Sequence, residues 1–125
     1  MEIADTNVLV AALNTRDSLH VRAIAALTKT QRPIAIPEYV ALETATVLMR
    51  TAGKKTADTF VRSLFATQDL LVLPASPEQF VAASECFLEE QKLSFVDASL
   101  LALSHTHHII TFDTALSRAI GKNKN

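Results

Sequence analysis

His108-Ile109-Ile110-Thr111-Phe112-Asp113 is a short apolar run closed by a carboxylate, and its reading decides the fold. Such a run, bounded by polar residues, suits a strand buried on both faces of a parallel sheet. Ile3-Ala4-Asp5, at the other end of the chain, has the same form. In open α/β sheets, ligands bind just beyond the carboxyl ends of the strands. Asp5 and Asp113 are therefore expected at that edge.

Between these two runs, short apolar stretches alternate with longer amphipathic ones, the pattern of a parallel sheet with helices on its faces. Strands are predicted at Glu2–Asp5, Pro33–Ile36, Leu70–Leu73 and His108–Phe112, the third read as buried like the others. Helices are predicted at Asn7–Leu13, Ser18–Thr28, Pro37 to Gly53, Thr56–Thr67, Ser76–Gln91, Ser94–His105 and Thr114–Ile120, before a polar tail from Gly121 to Asn125. Pro37 suits a first helical turn, and Gly53 suits a helix stop. Phe60, Val61, Leu64 and Phe65 are read as the inner face of their helix. Right-handed crossovers make the first and fourth strands neighbours and place the switch point between Asp5 and Asp113. No repeat or linker interrupts the chain, so residues 1–125 read as one domain.

Two further carboxylates stand at unusual places. Glu43 follows Val40 by three residues and precedes Val47 by four, on a helix stripe that points inward. Asp97 follows Ser94 by three residues at the opening of an apolar helix. Each acid has a plain structural reading: Asp5 and Asp113 as helix caps, Asp97 as the acid of a capping box, Glu43 at a stripe's border reaching solvent. Their conjunction implies more. Charges crowded into one pocket need a cation or protons, and a hard divalent ion held by oxygens is the commonest solution.

Composition excludes several alternatives. The 125 residues are 49% hydrophobic, enough for a sizeable core. No apolar run approaches the roughly 20 residues that span a bilayer, and the amino terminus does not resemble a signal peptide, so a cytoplasmic location is expected. The formal net charge of −1 gives no global attraction to nucleic acid, though a local basic patch could still act. The lone Cys86 reads as a buried, inert thiol. His105, His107 and His108 read as a helix end and strand entry rather than a nitrogen-rich metal site, and His20 as a polar-face residue. With Gly53 and Gly121 the only glycines, a phosphate-cradling loop is close to excluded.

The runs Ile3-Ala4-Asp5-Thr6-Asn7-Val8-Leu9, Ala41-Leu42-Glu43-Thr44-Ala45-Thr46-Val47-Leu48, Ser94-Phe95-Val96-Asp97-Ala98-Ser99-Leu100 and Ile109-Ile110-Thr111-Phe112-Asp113 resemble, in order and spacing, the motifs of the PIN domain. Within that family the compact form with a DTN-type opening is most similar to VapC toxins of toxin–antitoxin pairs. The resemblance implies a three-layer α/β/α sandwich with a short parallel sheet of four strands, or of five if an edge strand follows Asp113. It also implies a metal-dependent ribonuclease whose acidic cluster is Asp5, Glu43, Asp97 and Asp113, with secondary polar roles for Thr6, Asn7 and Thr111.

The reading that results is hydrolysis of RNA phosphodiesters with Mg²⁺ or Mn²⁺. Asp5, Asp97 and Asp113 are expected to hold the metal directly or through water, and Glu43 to orient the attacking water or a second ion. Thr111 and Asn7 are expected to fix ligand geometry. Arg16, Arg50, Lys54 and Lys55 are candidate phosphate contacts at the rim. A homodimer is expected from an apparent apolar surplus at Val8, Leu9, Leu13, Ile24, Leu27, Leu48, Met49, Phe60 and Phe65. The resemblance adds a cognate antitoxin whose basic side chain reaches Asp5 and Asp97. Two rivals stand beside this: a non-catalytic interaction module with an acidic pocket, and a Mg²⁺-dependent phosphoacceptor or phosphatase-type domain, which normally also needs a positioned lysine.

Overall fold

A computed structural model describes residues 1–123; Lys124 and Asn125, the end of the expected polar tail, lie outside the described residues. Four strands, β1 (Glu2–Ala4), β2 (Ile34–Pro37), β3 (Leu70–Leu73) and β4 (His108–Ile110), form one parallel sheet in the order β3-β2-β1-β4. The chain starts in the middle, winds outward to β3, then returns to set β4 against the other side of β1. This is the reversal expected between Asp5 and Asp113. Ile3 pairs with Ala35 on one side and with Ile109 on the other.

Ile3 and Ala4 are both 0% exposed, as are Ala35 and Ile36. Successive strand residues point to opposite faces, so helices must cover both. They are α1 (Thr6–Leu13), α2 (His20–Thr28), α3 (Glu38–Thr51), α4 (Lys54–Ala66), α5 (Pro77–Glu89), α6 (Phe95–Leu103) and α7 (Thr114–Asn123). Among the described residues the sheet has four strands; α7 takes the chain after Asp113, and no fifth strand forms there.

Several expectations need correction. β3 lies at the sheet edge and is only partly covered, with Leu71 41% exposed, because no strand flanks it on its outer side. On α4, Phe60 is buried and Leu64 packs against the core, whereas Val61 and Phe65 face outward. Positions 60 and 64 share one stripe with Ala57, and 61 and 65 lie a step round the helix. Of the supposed apolar surplus, Val8, Leu9, Leu48 and Phe60 are core residues and Leu27 is partly buried, leaving Leu13, Ile24, Met49 and Phe65 exposed. The last helix runs through Asn123 instead of stopping at Ile120. Gly53 does end a helix: its N–H donates to Leu48 O at 2.9 Å, and its φ of 97° turns the chain into α4. A side chain there would be strained. Among the described residues no helix is long and apolar enough to cross a membrane.

Candidate active site

Asp5, Asp97 and Asp113 are placed by strand ends or helix starts at the carboxyl edge of the sheet, and Glu43 by the body of α3. Asp5 leaves β1 and caps α1, its Oδ1 accepting the Thr6 N–H at 2.7 Å. Asp113 follows β4 and accepts the Leu116 N–H on Oδ1 at 2.8 Å, in the manner of a cap for α7. Asp97 sits in the first turn of α6, where its N–H donates to Ser94 Oγ at 3.1 Å. Glu43 is half-buried on α3, one turn before Val47. Together with Thr6, Asn7, Val10, Asp17, Leu19, Val47 and Ser94, these acids line a cavity of about 370 Å³. The cap readings of Asp5 and Asp113 thus hold alongside the pocket. A carboxylate has two oxygens and can serve both.

The contrast between α5 and α6 is informative. On α5, Ser76 Oγ accepts the Gln79 N–H at 3.1 Å and Gln79 Oε1 accepts the Ser76 N–H at 3.3 Å, closing both arms of a capping box. On α6 the serine arm closes at 3.1 Å, while the Asp97 carboxylate, close enough to Ser94 for that residue to favour its ionised form, also lines the cavity.

A small polar lattice braces Asp5. Thr111 Oγ1 donates to Asp5 Oδ2 at 2.7 Å and accepts the Asp113 N–H at 3.0 Å. Asn7 Oδ1 accepts the Phe112 N–H at 3.2 Å, while its Nδ2 points to Thr111 Oγ1 at a long 3.5 Å. These bonds tie the start of α1 to the loop between β4 and α7. One hydroxyl therefore orients Asp5 and holds the segment carrying Asp113.

Burial dominates the electrostatics. Asp5, 2% exposed, has its pKa raised from 3.8 to about 6, first by loss of water and then by the charges of Asp97 and Glu43; the bonds from Thr111 and Thr6 act in the opposite sense. Asp97 is also raised, by burial and then by Asp113 and Glu43, with Ser94 favouring the ionised form. Asp5 thus feels the charges of Asp97 and Glu43, and Asp97 those of Asp113 and Glu43.

This donor set fits a hard divalent cation. It consists of carboxylate, hydroxyl and amide oxygens, with no sulfur or imidazole among the lining residues. Thr6 Oγ1, enclosed at the same wall, has no hydrogen-bond partner. Among the described residues no three His, Cys, Asp or Glu side chains are already drawn to ion-binding spacing. Holding an ion would therefore require the carboxylates to close in or to act through bound water, as Mg²⁺ sites commonly do.

None of the basic residues expected at the rim lines the acidic cavity. Arg16 lines a separate polar cleft with Asn14, Thr51 and Thr56; Arg50 is exposed at the end of α3; Lys54 pairs with Asp58; Lys55 faces solvent. Their place in sequence near helix ends said nothing about which cleft those ends border. Conversely, Asp17 lines the acidic cavity, although its place between two helices marks it only as a turn aspartate. Its Oδ1 accepts the Leu19 N–H at 2.9 Å, and only the folding back of the α1–α2 turn brings it to the wall. His108 meets Glu2 at 3.0 Å and His20 meets Ala11 O at 2.8 Å, so these histidines serve local contacts away from the acids. Cys86 is half-buried and packs against the core, where burial raises its pKa. A more apolar cavity of about 240 Å³ opens between the start of α3, α5 and α6, apart from the strand-end carboxylates.

Comparison with known proteins agrees with this architecture. A family model described as PIN domain matches residues 3–122. The crystal structure of Mycobacterium tuberculosis VapC20, described as a sarcin-ricin loop cleaving toxin, superposes with a TM-score of 0.86 at 22% identity, covering 95% of each chain. No curated protein gives a significant match.

Proposed function

The chain belongs to the PIN domain family, and from that premise we propose that it is a divalent-metal-dependent endoribonuclease, the toxin of a toxin–antitoxin pair. The observation that carries this reading is the convergence of Asp5, Glu43, Asp97 and Asp113 on one cavity at the carboxyl edge of the sheet. Asp5, Asp97 and Asp113 would hold Mg²⁺ or Mn²⁺. Such an ion, when bound, would supply an activated water and neutralise charge on the scissile phosphate. Glu43 would orient that water by accepting a hydrogen bond from it. Thr111 holds Asp5 in one rotamer by donating to Oδ2, and Asn7 keeps the β4–α7 loop in register with α1. The hydroxyl of Thr6 stands ready as a further oxygen. No side-chain nucleophile is needed.

The partners that go with this reading are RNA, an antitoxin bearing a basic side chain for the acidic pocket, and a second copy of the chain, all in the cytoplasm. An arginine suits the antitoxin role because its planar guanidinium meets a carboxylate with two hydrogen bonds. The phosphoacceptor alternative lacks support, since no lysine lines the cavity. The test is cleavage of mixed RNA by the purified protein with Mg²⁺, with Mn²⁺ and with EDTA, alongside Asp97→Asn. Cutting is expected with either ion alone and is lost in the variant. Undiminished cutting in EDTA would sink the reading.

A further inference from the structure

No basic side chain lines the acidic cavity, yet an RNA strand entering it brings negative charge that its surroundings must meet. One basic side chain is held on the loop that carries Asp113 into that cavity. The Arg22 guanidinium lies over the Phe112 ring, 4.5 Å from its centroid. Phe112 stands between Thr111 and Asp113, and its N–H is anchored on Asn7 Oδ1. Arg22 belongs to the first turn of α2, three residues after Leu19, which itself lines the cavity. It is thus linked to the rim through both the β4–α7 loop and the α1–α2 turn.

Its chemistry is free for use. Arg22 is exposed, and among the described residues the three ion pairs are Lys54–Asp58, His108–Glu2 and Lys122–Glu90, so no carboxylate claims it. A guanidinium over an aromatic face keeps N–H groups free to donate elsewhere. A side chain already ordered loses less freedom when it binds. The remaining surface of Phe112 packs against the cluster of Val8, Ala11 and Ala23, so the platform is firm.

We propose that Arg22, held on Phe112, is the positioning residue that grips a phosphate of the RNA strand adjacent to the one cleaved. This rests on the ribonuclease reading and adds the residue that seats the substrate. Arg22 does not touch the reacting atoms; it raises the residence of RNA in the cavity.

The test measures binding of a short labelled single-stranded RNA in Mg²⁺ across a salt series, in an Asp97→Asn background that leaves the RNA intact. Arg22→Ala should weaken binding about tenfold and lower the slope of log affinity against log salt by about 0.7, the value for one lost phosphate contact on a single strand. Arg22→Lys should retain the slope but lose part of the affinity, and Phe112→Leu should approach Arg22→Ala. In the parent background, Arg22→Ala should raise KM with little change in kcat. Equal binding and an equal slope for the parent and Arg22→Ala would overturn the assignment alone. Weaker binding with an unchanged slope and a lower melting temperature would mean a structural role, which also overturns it. A parent that neither binds nor cuts RNA would remove the ribonuclease reading and this inference together.

Discussion

Thr111 donates its hydroxyl hydrogen to Asp5 Oδ2 at 2.7 Å across 106 residues of sequence, and the same oxygen accepts the N–H of Asp113. The bond favours the ionised form of Asp5 against a burial that opposes it. Thr111→Val keeps the shape and removes the donor. RNA cleavage is expected to fall about 10- to 100-fold, the range for partners that orient metal ligands. Thr111→Ser should recover most of it. A valine variant cutting at the parental rate would show that the bond has no catalytic consequence.

The raised pKa of Asp5 predicts a direction for pH dependence. Its folded value, about 6, lies above the ordinary 3.8. Its contribution to stability is therefore fully present below about pH 4 and is lost as pH rises through about 6, by on the order of 3 kcal/mol for the metal-free protein. Denaturant unfolding in EDTA should show this slope in the parent and a flatter profile in Asp5→Asn. Cleavage should rise over the same interval as Asp5 ionises, and more Mg²⁺ should move that rise to lower pH. Parallel unfolding profiles for the two proteins would refute the assignment.

Asp113 separates its two duties by substitution. Asparagine keeps the acceptor for the Leu116 N–H, whereas alanine removes it. Asp113→Asn should melt no lower than the parent in EDTA and gain less from Mg²⁺, while Asp113→Ala should lose about 1 kcal/mol from the missing cap. Both should cut RNA poorly. An asparagine variant that melts as low as the alanine one would leave the cap as the whole account of this residue.

The proposed pairing predicts an assembly larger than the 13.6 kDa chain in light scattering at micromolar concentration. The exposed apolar side chains that suit it best are not those first expected but Phe80, Phe87 and Phe95, whose rings stack at 5.7 and 4.8 Å, with Val81 and Leu88 beside them. Phe95 lies two residues before Asp97, so contact there would bring two acidic cavities to one side. Phe87→Ser should shift the mass toward the monomer. A monomeric parent would end the claim.

The pairing of the first and last strands and the positions of Asp5 and Asp113 were legible because apolar runs end there in charge, and Glu43 and Asp97 because they interrupt apolar helix patterns; each signal is local to its segment. Sequence failed where direction in space decided the matter. Val61 and Phe65 are as apolar as Phe60, and only the docking of α4 tells which stripe the sheet receives. Asp17 reads as any turn aspartate until α2 folds back on α1. Arg22 carries no motif at all, and its link to Phe112 joins segments that the sequence keeps ninety residues apart.

The placing of β1 between β2 and β4 has a consequence for the timing of synthesis. The first strand leaves the ribosome early, but its outer edge and the Thr111 hydroxyl arrive only with the last strand. Until then Asp5 has neither its brace nor Asp113 nearby, and Asp97 has reached the tunnel exit only shortly before. A chain nascent up to α5 can fold helices on β1, β2 and β3 yet has no acidic cavity to present. Because such late, long-range closure is slow compared with local helix formation, the acidic cavity would be completed only after the rest of the sheet and its helices had packed.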